Sequence, residues 1–173
     1  MNKHFLLLLY AVVLLFACNS NATKDAAEPI TVAEEKSIAV NYLSMKINGK
    51  EWKADSEIFG AFHPKGYNNA IIISGSKGPN DKTEQSFNIN LYNTNGIGTY
   101  DLVSDNKDLN VVQLGNLSTE NYLYGSVLGF SFHVNVTKAS QNPATLEATF
   151  EGTLTGNAGD SIKITDGKFY YYE

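Results

Sequence analysis

Few side chains in this sequence have types and spacings that could do chemistry: one thiol, the histidines His63 and His133, and carboxylates in turns or along strands. Zinc needs three or four nitrogen, sulfur or oxygen donors, commonly on a short repeat. Neither H-x-H nor H-x-x-x-H occurs, so both histidines read as surface residues. Asp81, Asp105, Asp108 and Asp160 stand in Asn- and Gly-rich stretches. Calcium favours such oxygens, but the EF-hand spacing is missing, and aspartate stabilises turns by itself through nearby backbone amides. Glu147 and Glu151 have the same parity in a strand-like segment, four residues apart, which places them about 13 Å from one another. That is too far for the carboxylate pair of glycoside cleavage. Serine, histidine and aspartate are all present without a G-x-S-x-G elbow. The run SGSKG at Ser74–Gly78 reads as a strand entering a loop, with no helix after it to hold a phosphate. The sequence therefore assigns no catalytic residue, no metal ligand and no cofactor.

The thiol is a different case. Cys18 is the only cysteine, so no disulfide can form within the chain. It stands in LLFACNSNATKD, at the end of an apolar run from Phe5 to Phe16 that follows Lys3 and His4. A run of that length suits the h-region of a secretory signal and falls short of the roughly 20 residues that cross a bilayer. Leu15-Phe16-Ala17-Cys18 resembles a bacterial lipobox, with a branched apolar residue at minus three and a small one at minus one. Phe16 is bulkier than the usual occupant. The resemblance implies a diacylglyceryl group on the Cys18 sulfur, cleavage before Cys18 and acylation of the new amino terminus. Each buried methylene contributes about 0.8 kcal/mol, so two or more chains anchor where one does not. Asn19 follows the cysteine, so the aspartate that retains lipoproteins at the inner membrane is absent. Lys24-Asp25, with Glu28, resembles the lysine-plus-acid export signal of Bacteroidota lipoproteins. The expected place is the cell envelope, at the outer membrane, with the membrane itself as partner through the N-terminal lipid.

Charge narrows the other partners. The formal net charge is -5 and all 13 basic residues are lysine. A nucleic-acid partner needs a cationic surface and favours the planar fork of arginine, so it is disfavoured twice over.

The elements that position these residues follow from periodicity. Residues 1–17 read as the signal peptide, 18–40 as a flexible tether and 41–173 as the folded domain. Thr31 and Glu34 have capping-box spacing and predict a short helix over 32–39 within the tether. From Asn41 onward the apolar period is two. LEATFEGTL puts Leu146, Ala148, Phe150, Gly152 and Leu154 on one face. GFSFHVNVTK does the same with Phe130, Phe132, Val134 and Val136, leaving His133 on the polar side, and SFNINLY groups Phe87, Ile89 and Leu91. AIIIS reads as a strand buried on both faces. Asn48-Gly49 between YLSMKI and KEWKA predicts a two-residue hairpin. Ile164 and Phe169 differ in parity, so the last strand must bulge or turn at Asp166-Gly167. The fold class is all-β, an antiparallel β-sandwich or a calycin-like barrel of about nine to ten strands.

INGKEWKA, GTYDL, EATFEGTL and ITDGKFYY resemble a family of uncharacterised β-rich lipoproteins of Bacteroidota, over about Met45–Tyr172. The resemblance implies an all-β domain in the envelope and carries no catalytic residues. Tyrosine is apolar with a polar tip and suits recognition. Tyr170, Tyr171, Tyr172 and Trp52 are therefore the candidate surface recognition residues, at least one of the three tyrosines pointing outward by alternation. Asp160-Ser161-Ile162 also resembles a short O-glycosylation signal of Bacteroidota. The expected function is non-catalytic recognition or structural support by a lipid-anchored domain, with an envelope protein or glycan as partner. The alternatives are a lipocalin-like carrier, with Phe130, Phe132, Phe150 and Ile89 around a cavity, and, more remotely, an envelope hydrolase. Cys18→Ser is expected to move the protein out of the detergent phase in phase partitioning; unchanged partitioning refutes lipidation.

Overall fold

The structure, a computed structural model, describes residues 40–67 and 69–173. The signal peptide, Cys18, the tether through residue 39 and the helix expected over 32–39 lie outside them. Eleven strands follow one another: β1 (Tyr42–Ile47), β2 (Lys50–Lys53), β3 (Ser56–Phe62), β4 (Ile71–Lys77), β5 (Gln85–Leu91), β6 (Gly98–Val103), β7 (Val111–Gly115), β8 (Leu123–Gly125), β9 (Phe130–Gln141), β10 (Ala144–Thr155) and β11 (Ser161–Tyr172). A single 3-10 turn, Ser126–Leu128, separates β8 from β9. All pairings are antiparallel. One sheet has the order β2-β1-β11-β10-β9-β6 and the other β3-β4-β5-β7-β8.

Local chemistry explains the elements that matter. Asn48 and Gly49 both take positive φ, 49° and 80°, the type I′ turn whose twist matches paired strands. Asn48 also accepts the Lys163 N–H at 2.8 Å through Oδ1, tying the hairpin to β11. In β10, Leu146, Ala148, Phe150 and Leu154 are buried, and in β9 so are Phe130, Phe132, Val134 and Val136. β4 is less enclosed than its run of isoleucines suggests: Ile71 and Ile73 are buried while Ile72 is only half-buried on the other side. SIKIT and KFYYY are one continuous strand, β11. Its pairing with both β1 and β10 slips by one residue around Asp166, which sits at φ 54°. The parity change is therefore a bulge and not a turn.

The strands do not close into a barrel: β2 and β6 are the edges of one sheet, β3 and β8 those of the other. The calycin-like alternative gives way to a sandwich, because the apolar faces of the two sheets cover one another directly. The residues that would have walled a carrier's cavity fill the layer between the sheets. Phe87 of β5 stacks on Phe150 of β10 with ring centroids 5.4 Å apart, and Phe132 stacks on Phe150 at 6.0 Å. Ile89 is fully buried in the same layer.

Glycines mark where the sheets come closest. A Cβ on Gly60 of β3 would stand 2.7 Å from the ring of Phe169 and 2.8 Å from Cβ of Tyr171, both on β11. The missing side chain makes room for a ring from the opposite sheet. Gly60→Ala is therefore expected to destabilise the fold by about 1–3 kcal/mol through overpacking. Phe87→Ala should cost about 3–5 kcal/mol by opening a cavity. Both are read from urea midpoints, and a Gly60→Ala midpoint equal to wild type would show that the two sheets can part without cost.

Candidate functional site

Because inward positions are committed to the core, chemistry is left to the outer faces, turns and edges, and two neighbouring regions on the outer face of the six-stranded sheet gather aromatic and charged side chains. The first is built by the end of β11. After the bulge the alternation runs Phe169 inward, Tyr170 outward, Tyr171 inward, Tyr172 outward. Tyr170 pairs across the sheet with Tyr42 of β1, and the rings stack at 6.1 Å and 22°. On its other side Tyr170 pairs with Glu147, which forms an ion pair with Lys138. The Lys138 Nζ lies 6.0 Å from the Tyr170 ring centroid, within cation–π range. The hydrogen bond and charge of Glu147 raise the Lys138 pKa above its ordinary value. Tyr172 is 52% exposed beside Thr145. The patch thus offers aromatic faces flanked by one cation and one anion.

Two of the expected recognition residues are not part of it. Trp52 is 3% exposed: β2 turns it inward beside Phe87 (6.2 Å), and its indole N–H donates to Oε1 of Gln85 at 2.8 Å. It is a core residue, because pairing with Met45 of β1 fixes its face. Tyr171 packs against the core with its ring edge-on to Phe59 at 5.7 Å. Burial raises the pKa of its hydroxyl, and the charge of Glu173 adds to the effect. Tyr42 belongs in the patch, and only the pairing of the first strand with the last puts it there.

The second region is a row across the sheet. Asp101 of β6 lies opposite His133 of β9, which lies opposite Glu151 of β10. Nδ1 of His133 is 2.7 Å from Oδ1 of Asp101. Shallow hollows of about 500 and 550 Å³ flank the row, both lined by His133 and Glu151. Lys163 and Ser131 border the first, Lys168 and Asn135 the second. Among the described residues no hydrogen bond joins Ser131 to His133, and no three histidine, cysteine or acidic side chains stand close enough to hold a metal. Farther along, Lys46 of β1 meets Asp166 of the bulge at 2.9 Å. That contact raises the lysine pKa and lowers the aspartate pKa.

Three of the four turn aspartates do structural work. Asp81 accepts from the N–H and hydroxyl of Thr83 at 2.7 and 2.6 Å, which lowers its pKa. Asp108 accepts from Asn93 at 2.8 Å. Asp160 accepts from the Tyr124 hydroxyl at 2.8 Å and ties the turn before β11 to β8 of the other sheet, leaving Ser161 exposed beside it. His63 stands in the turn after β3, its ring 3.7 Å from that of Phe62. The SGSKG run is the end of β4, closed by Gly78 at φ 96°.

The fold defines an all-β sandwich with an aromatic and polar outer face. No protein-family model, no curated protein and no solved structure matches the chain.

Of the groups whose pKa is raised, Tyr124 moves furthest and gives the structure a measurable pH dependence. Burial, with Asp160 as hydrogen-bond acceptor and nearby charge, pushes the Tyr124 pKa up to about 12. A raised folded pKa means stability that is complete below the ordinary tyrosine value of 10.0 and lost as pH climbs toward about 12. Unfolding free energy should fall through that window, by an amount of order 2 kcal/mol. Tyr124→Phe should flatten the decline, measured by urea melts at each pH. An equal decline in the variant would remove Tyr124 as its source.

Proposed function

We propose that the protein is a lipid-anchored module of the cell envelope that recognises an envelope partner, protein or glycan, through the outer face of its six-stranded sheet and performs no catalysis. The lipobox-like residues Leu15–Cys18 support the anchor, and Asn19 after the cysteine supports an outer-membrane location. The observation that carries the recognition reading is the outward stack of Tyr42 on Tyr170, flanked by Tyr172 and by the Lys138–Glu147 pair. Rigid aromatic faces give contact area at small entropic cost, and neighbouring charges give direction. These rings are half-buried or exposed, and the core does not use them.

The test is affinity capture from envelope extracts with the full chain, read by mass spectrometry for proteins and glycans. Tyr42→Ala with Tyr170→Ala should reduce recovery of the captured species by about tenfold or more, as loss of a hot spot does. The unfolding free energy should change by no more than about 1 kcal/mol. Recovery that survives both substitutions overturns the reading.

A further inference from the structure

We infer that the free edge of β6 is a strand-addition site for an extended segment of a partner protein that alternates apolar with basic side chains. A sheet edge is a template for another strand unless something blunts it. Three of the four edges here are blunted. β2 has only four residues, with Lys50, Glu51 and Lys53 exposed. β3 is broken by Glu57 at φ 50° and by a register slip between Ser56 and Phe59. β8 has three residues. β6 has six, pairs with β9 in unbroken register and contains neither proline nor lysine.

Bonds at the end of β6 show which backbone groups face outward. Where the next ladder carbonyl would receive the Phe130 N–H, the Ser104 hydroxyl accepts it instead, at 2.6 Å. The Val103 carbonyl accepts from Asn106, outside the ladder, at 3.1 Å. Antiparallel bonding alternates, so Gly98, Tyr100 and Leu102 serve β9, while Thr99, Asp101 and Val103 turn their amides away. Among the described residues no turn or side chain reaches the backbone groups of Thr99 or Asp101.

The side chains select the occupant. On the inner side Tyr100 is half-buried and Leu102 buried, so residues opposite them must be apolar to extend the core. Exposed Ile97 before the strand and Leu109 after it add apolar surface at its two ends, and Val103, the last residue of the strand, adds more on the outer side. On the outer side Asp101 is exposed, and Asp105 and Asp108 follow in the next turn with Lys107 as the one cation there. A second copy of β6, with inner faces matched, would set Asp101 opposite Asp101 in one register and opposite Thr99 in the other, with the two carboxylates then on a diagonal about 7–8 Å apart; neither register gives Asp101 a cation. The chain's own residues 18–40 have the wrong sign, with Asp25, Glu28, Glu34 and Glu35 against Lys24 and Lys36. A basic strand from another protein satisfies both charge and pattern.

The test uses the full chain in detergent and a synthetic peptide alternating valine with lysine, with amide exchange followed residue by residue. The peptide should slow exchange at Thr99, Asp101 and Val103 by about tenfold, while a valine–glutamate peptide should not. Val103→Lys, a change at an exposed site, should reduce the slowing about fivefold and leave the unfolding midpoint unchanged. Three results overturn the assignment: no slowing at these amides, equal slowing by both peptides, or protection that rises with protein concentration without peptide.

Discussion

Phe87 is the aromatic centre of the core that the two sheets share. It projects from the five-stranded sheet and meets Trp52 and Phe150, both on the six-stranded sheet. Burying aromatic rings is among the largest favourable contributions available to a small domain. Its consequence is positional: each strand of the larger sheet gives its inward residues to that layer. Chemistry is then confined to the outer faces, the turns and the edges. This is why Trp52, which as an isolated aromatic suggests a binding surface, is instead a wall of the core with its single polar atom satisfied by Gln85.

The outer face depends on a second constraint, the extra residue in β11. Ile162 and Ile164 face inward; without the bulge at Asp166, continued alternation would turn Tyr170 inward and Phe169 toward water. The bulge shifts the phase by one residue, so Phe169 fills the space left by Gly60 and Tyr170 reaches Tyr42. Lys46 pairs with Asp166 at the same place, at 2.9 Å, which raises the lysine pKa and lowers that of the aspartate. Both side chains are well exposed, so the contact defines local geometry more than it adds stability. Packing and recognition surface are thus two results of one backbone irregularity.

Legibility varied along the chain for physical reasons. β5, β9 and β10 are plain in the sequence because long alternating runs allow one phase only. β3 is not, because SEIFGAF contains Gly60 at a buried position and a left-handed Glu57, and both interrupt its pattern. β8 is invisible at three residues, its place secured by Tyr124 reaching Asp160 across the sheets. The sandwich could not be separated from a barrel because alternation is identical in both; what differs is whether the edge strands meet. Among the candidate residues, Tyr170 and Tyr172 face outward as alternation allowed, while the row Asp101–His133–Glu151 escaped notice because its members come from three strands.

Sequence alone determined the phase of the long strands, the Asn48-Gly49 turn, the break in parity at Asp166 and the apolar segment ending at Cys18. These are local properties, set by side-chain alternation and by what each residue's backbone tolerates. Tertiary structure decided which strands are neighbours: it set β1 beside β11 and so Tyr42 on Tyr170, turned Trp52 into the core, and left β6 as an unblunted edge. Those outcomes come from the fit between faces of distant segments, where a ring on one sheet needs a glycine or a gap on the other. Such complementarity is a property of pairs of surfaces, so no single stretch of the chain contains it.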